Sequence, residues 1–208
     1  MKVRLFYAFL ACIAKLSLMA LTEFDVSVTN ALLHKENLVD PAFTNYIHQC
    51  ANQSTNLELA LSANIIRCAS QIEMFNETMD EMCLTQAFQS VSNALASPFA
   101  TTGTWQFWHA QMLQSVCMNT DNNVQGSYLV SSNAWEILQN ANLTNTTNTI
   151  SKALFRYYGV DDDITMFEAV TLIKALSADA IGKTGEVECL KTFLPFRLRQ
   201  ELEAFISN

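Results

Sequence analysis

The chain has 208 residues, half of them apolar, with 12 basic against 20 acidic side chains and a net charge of −8. That balance leaves no basic stripe for phosphates, which excludes nucleic acid and disfavours polyanionic membrane surfaces as partners. The apolar half excludes a disordered tail, and the length suits a single domain with a sizeable core.

The first twenty residues, MKVRLFYAFLACIAKLSLMA, place Lys2 and Arg4 ahead of the apolar run Leu5 to Ala14. This is the make-up of a secretory signal peptide, with cleavage expected after Ala20 or, as the other candidate, after Ala14. Lys15 interrupts a stretch already short of the roughly twenty residues that span a bilayer, so no membrane insertion is expected after cleavage. Residues 21–208 then make one helical domain, with nine basic and 20 acidic residues and a net charge near −11. Residues 24–30, Phe-Asp-Val-Ser-Val-Thr-Asn, are the one stretch that reads as extended.

Scarce glycine and proline (five and three) and the lack of Asn-Gly or Asp-Gly turns point away from sheet. Helical spacing takes over instead. Leu61, Ile65, Cys68, Ile72 and Phe75 form a seam for a helix over 56–75, and Met79, Cys83, Ala87, Val91 and Leu95 one for 78–96, closed by Pro98. Trp105, Trp108, Met112 and Val116 predict a helix over 104–118; Leu129 or Val130, Ala134, Ile137 or Leu138 and Ala141 predict the next. Ile150, Ala153, Leu154, Tyr157 and Tyr158 predict a fifth, ended by Gly159. The run Asp161-Asp162-Asp163 lacks the ligand alternation and glycine of a calcium loop and reads as the N-cap of a sixth helix over 163–178. Gly182 and Gly185 separate it from the last segment, Val187 to Ser207, whose seam is Leu190, Leu194, Leu198, Leu202 and Phe205 or Ile206. Pro195 either kinks that helix or starts its second part, and Arg197 with Glu201 and Arg199 with Glu203 are i,i+4 pairs. The fold class expected is an all-α helical bundle.

Beyond Cys12, five cysteines remain: Cys50, Cys68, Cys83, Cys117 and Cys189. None is in a Cys-x-x-Cys pair and no histidine stands at ligand spacing, so neither metal nor cofactor is expected. In an oxidising compartment the five predict two disulfides and one cysteine left over, either buried and free or bonded to a second chain. Spacing alone does not choose the pairing. Asn52, Asn76, Asn142 and Asn145 head Asn-x-Ser/Thr sequons, each at a break in the hydrophobic pattern, and are expected to carry N-glycans. No nucleophile elbow, phosphate loop or His-Glu-x-x-His pattern occurs, and His34, His48 and His109 are scattered, so no catalytic residue is expected.

The stretch Cys189-Leu-Lys-Thr-Phe-Leu-Pro-Phe-Arg-Leu-Arg199, running on to Phe205-Ile206, resembles the terminal helix of the interleukin-12 alpha subunit, in which a cysteine precedes a Phe-Arg-aliphatic-Arg motif. Cys189, Phe196, Arg197, Leu198 and Arg199 carry the likeness. Ser54 to Ser62 and Met166 to Leu176 are similar to that family's first and third helices. The likeness covers about twenty residues well. The family carries more cysteines and a longer loop after its first helix, and the helices at 78–96 and 104–118 have no counterpart in its plan.

The resemblance implies a four-helix cytokine-like core with extra helices, stabilised by disulfides. It also implies a secreted signalling protein that binds a receptor, as one subunit of a heterodimer or alone, with Arg197 and Arg199 as partner-binding candidates. A different class of function competes with it, an extracellular carrier of a small apolar ligand in a cavity lined by Trp105, Trp108 and Phe88. A non-enzymatic secreted effector is the third.

Overall fold

The computed structural model describes residues 39–53, 57–102, 104–140 and 165–206. All lie within one compact unit, Asn37–Asn208. They form eight α-helices and no strand: α1 (Pro41–Gln53), α2 (Leu57–Thr78), α3 (Glu81–Leu95), α4 (Trp105–Thr120), α5 (Val124–Asn140), α6 (Met166–Ala180), α7 (Thr184–Lys191) and α8 (Phe196–Ile206). The all-α character expected from the sequence is the observed one. The expected signal at 1–20, extended stretch at 24–30 and helix near 150–158, and the run Asp161–Asp163, lie outside the described residues.

Two helices are enclosed on nearly every side. Every residue of α2 from Leu61 to Ile72 is buried except Ser62, and α6 is buried along most of its length. Around α2 pack α1, α3 and α4; around α6 pack α4, α5, α7 and α8. Helix α4 touches both and joins the halves of the bundle.

The connections follow from local chemistry. Met79, at φ 56°, ends α2 in the left-handed region, and Asp80 starts α3 at once by accepting from Met82 N at 2.9 Å. A two-residue connection lets long helices lie side by side only if they run antiparallel, so α2 and α3 are a hairpin. Helices α4 and α5 make a second, through Asp121–Asn123. There Asn123 Oδ1 accepts from Gly126 N at 3.0 Å, and a Cβ on Gly126 would stand 2.7 Å from the Asn123 side chain. Gly182, at φ 77°, closes α6, with Lys183 N reaching back to Ala178 O at 2.9 Å.

Several expectations are corrected. Helix α1 carries no predicted seam, yet Asp40 Oδ1 caps it by accepting from Ala42 N and Phe43 N at 2.8 and 3.0 Å, ahead of Pro41 at its first position. The N-cap of α6 is Thr165, in a capping box with Glu168, rather than the aspartate run. In the last segment the second of the two readings of Pro195 holds: tight turns at Thr192–Leu194 separate α7 from α8, which follows Pro195, and Leu190, Leu194, Leu198 and Leu202 are all buried as predicted.

Helix α5 buries Ala134 and Leu138 of the expected face, with Val130 half-buried, and extends that face over two serines. Leu129 is 59 % exposed, and the buried positions are Ser127, Ser131, Ala134 and Leu138. Ser127 Oγ lies 2.8 Å from Ser115 Oγ and 2.7 Å from Ser177 Oγ, and Ser177 donates to Ile173 O at 2.9 Å. Small hydroxyl side chains thus let α4, α5 and α6 approach closely while each oxygen keeps a partner. Ser127→Val should cost about 2 kcal/mol from overpacking and orphaned hydroxyls, against about 1 kcal/mol for Ser127→Ala, measured by urea unfolding.

Candidate functional site

Besides the serine contacts of α4, α5 and α6, polar groups of the described residues gather in three places, two internal and one on the surface. The first is built on α2. Arg67 is 6 % exposed, and its partners are neutral oxygens: Nε donates to Ser90 Oγ of α3 at 2.7 Å and Nη1 to Asn52 Oδ1 of α1 at 3.2 Å. Ser90 Oγ in turn donates to Gln71 Oε1 at 2.9 Å, and Gln71 Nε2 donates to Gln86 Oε1 at 2.8 Å. Gln71 Nε2 also lies 3.2 Å from His48 Nε2. An amide nitrogen only donates, so the imidazole accepts there and is neutral. Burial, and then the Arg67 charge, hold the His48 pKa below its ordinary value.

The second place is where α7 meets α5 and α6. Lys174, almost fully buried, lies 3.0 Å from Glu186 Oε1 and 4.2 Å from the Trp135 ring centre. Tyr128 Oη donates to Glu186 Oε2 at 2.7 Å and accepts from Lys183 Nζ at 2.7 Å. Burial pushes the Glu186 carboxyl up, but donation by Tyr128 and Lys174 and the charges of Lys174 and Lys183 outweigh it and hold the pKa below the usual value. Trp135 Nε1 donates to Thr171 Oγ1 at 3.0 Å, and its ring packs on Phe167 and Phe193. The two internal clusters are built alike. Each satisfies charges and amides that the packing has taken out of water.

The third place is the outward side of α8. Leu198 and Leu202 bury its inner face against the core, which leaves Phe196 67 % exposed with Arg197 and Arg199 beside it. Arg197 Nε meets Glu201 Oε1 at 3.3 Å, as expected, whereas Glu203 reaches Lys191 of α7 at 3.5 Å. Cys189 is exposed on α7 just ahead of this helix.

The other singled-out residues fall as follows. Asn52 and Asn76 are exposed near the C-terminal ends of α1 and α2; Asn142 and Asn145 lie outside the described residues. Among the described residues no two cysteines stand at disulfide distance. Cys68 and Cys117 come into contact at 3.7 Å, Cys83 is buried and Cys50 half-buried. His109 is fully buried in α4 and His48 belongs to the Arg67 network. Among the described residues no group of three His, Cys, Asp or Glu is placed to hold a metal ion. Trp108 packs with Ala134, Leu138, Met166, Phe167 and Val170, its Nε1 donating to Thr102 O at 3.1 Å. Phe88 lines a separate cleft of about 420 Å³ with Phe75, Leu84, Glu81 and Asp121. The two aromatics therefore do not line one cavity. Periodicity had no means of finding Arg67, Gln71 or Lys174, because polar residues inside an enclosed helix look like surface.

Stability should fall as pH drops from the ordinary histidine value of 6.5 through the lower folded-state pKa of His48. The unfolded chain takes up that proton more readily than the folded one, and His48→Gln should flatten this part of a melting-temperature profile. Glu186→Gln should cost about 2 kcal/mol by leaving the Lys174 ammonium buried without its anion. Adding Lys174→Met should recover most of that loss in chemical denaturation.

No family model matches the chain, and neither a curated protein nor a solved structure matches it.

Proposed function

We infer that this chain is a secreted, N-glycosylated, disulfide-containing helical protein that acts by binding another protein, cytokine-like in manner, with α8 as its recognition element. The observation that carries the reading is the outward side of α8. An exposed phenylalanine flanked by two arginines, on a helix anchored by Leu198 and Leu202, has the composition of an interface hot spot. Export is supported by the leader-like residues 1–20 and by exposed sequon asparagines at 52 and 76.

The helix connections narrow what is kept of the cytokine resemblance. Long-chain cytokines run up-up-down-down with two long crossovers, whereas α2–α3 and α4–α5 are joined by two and three residues. What this reading retains is therefore the partner-facing terminal helix. The cleft beside Phe88 is bordered by Glu81, Thr85, Asp121 and Asn122 as well as by apolar groups, a poor enclosure for a wholly apolar ligand.

Expressed with its own residues 1–20 in an animal cell line, the protein should reach the medium carrying glycans. Peptide-N-glycosidase should sharpen its mobility, and Asn52→Gln and Asn76→Gln should each remove one glycan. Labelled protein should bind saturably to one or more lines in a panel of cell types, and the pair Phe196→Ala, Arg199→Ala should weaken that binding at least tenfold without changing the melting temperature. Unglycosylated retention in the cytosol would overturn the export reading. Saturable binding untouched by the α8 substitutions would remove that helix as the recognition element, and a stoichiometric lipid released by solvent extraction would favour a carrier.

A further inference from the structure

We propose that Cys68 and Cys117 form a disulfide bond joining α2 to α4 through the core, and that Cys50, Cys83 and Cys189 remain outside it. The sulfurs are already in contact at 3.7 Å, and both side chains have no exposed surface. Each stands within the main apolar cluster, Cys68 among Leu61, Ile65 and Ile72 on α2 and Cys117 among Leu113 and Val116 on α4. Tightly packed neighbours of this kind keep either helix from turning its sulfur away. The other three cysteines are set apart by their helices: Cys50 is half-buried on α1 beside Tyr46, Cys83 lies near Thr78 at the start of α3, and Cys189 is exposed on α7. Of the many pairings open to five cysteines, the fold thus brings one together. The inference rests on the export reading above, because a reducing cytosol would keep both thiols.

The bond forms by thiol–disulfide exchange with a small-molecule disulfide as oxidant. The thiolate of one cysteine attacks a sulfur of the oxidant and expels one thiolate, leaving a mixed disulfide. The thiolate of the other cysteine then attacks the protein sulfur of that mixed disulfide and expels the second thiolate. The two cysteine thiols give up two electrons and two protons, and the oxidant becomes two thiols. No oxidant reaches a sulfur without exposed surface, and burial also holds the Cys68 thiol well above its ordinary pKa. The exchange therefore belongs to folding, before α4 closes on α2. Once made, the bond ties positions 49 residues apart and so restricts the unfolded chain strongly.

The test is a disulfide map of the secreted protein, alkylated under denaturing conditions without reductant. No Lys or Arg occurs between Cys68 and Lys152, so trypsin would leave Cys68, Cys83 and Cys117 on one peptide, and chymotrypsin is the enzyme to use. A cross-linked Cys68–Cys117 peptide pair with alkylated Cys83 is the expected result. Alkylated Cys68 and Cys117, or either one bonded to a different cysteine, would overturn the proposal.

A second arm does not depend on export. The purified chain is unfolded and reduced in urea, then refolded with glutathione disulfide or with reductant only. The oxidised product should contain the same cross-link and melt on the order of 10 °C higher, and the variant Cys68→Ala, Cys117→Ala should melt alike in both conditions. A chain that is not exported but forms this bond on refolding sinks the export reading alone. A chain exported with its glycans but with both thiols free sinks the pairing alone. Should the double variant fail to fold, the map of the unaltered protein decides.

Discussion

The constraint on which this structure depends is the enclosure of α2 and α6. A helix surrounded by other helices cannot hand its polar side chains to water, so each must find a partner inside the protein. Helix α2 carries Arg67 and Gln71 into that setting, and α6 carries Thr171, Lys174 and Ser177. Their partners sit on the surrounding helices: Asn52 and His48 on α1, Ser90 and Gln86 on α3, Trp135 and Ser127 on α5, Glu186 on α7. The outer helices are positioned by these donors and acceptors as well as by apolar packing.

Helix α4 serves both halves. Its Leu113, Val116 and Cys117 join the main cluster shared with α2 and α3, and its Trp108 enters a second cluster with α5 and α6. Its Ser115 holds Ser127 of α5. A single helix with three occupied faces has little freedom to shift, which is why a covalent link at Cys117 would bear on the whole bundle.

The internal and the surface polar groups differ in their surroundings. The internal charges look chemically active by composition but are engaged in mutual satisfaction, each paired or bonded to oxygens of neighbouring helices. The outward side of α8 has the opposite character: its anchor is apolar and internal, while Phe196, Arg197 and Arg199 face solvent. Arginine and aromatic groups exposed together on an anchored helix present area and directional donors on a backbone that is already ordered.

The sequence by itself determined the helical class and most seams, because a face rich in Leu, Ile and Val repeats at 3.6 residues wherever only one side is buried. Leu190, Leu194, Leu198 and Leu202 kept that face even though the segment breaks at Pro195. Periodicity failed where burial was not one-sided or not apolar. Helix α1 offers only Ile47 as a deeply buried anchor, and the capping pair Asp40-Pro41 was its legible signal. Helix α5 buries serines, whose smallness favours close approach and whose hydroxyls are satisfied only by residues far along the chain. The neutral partners of Arg67, the anion beside Lys174 and the meeting of Cys68 with Cys117 were likewise decided by tertiary structure. Each joins residues on different helices, and one-dimensional spacing holds no information about which helices become neighbours.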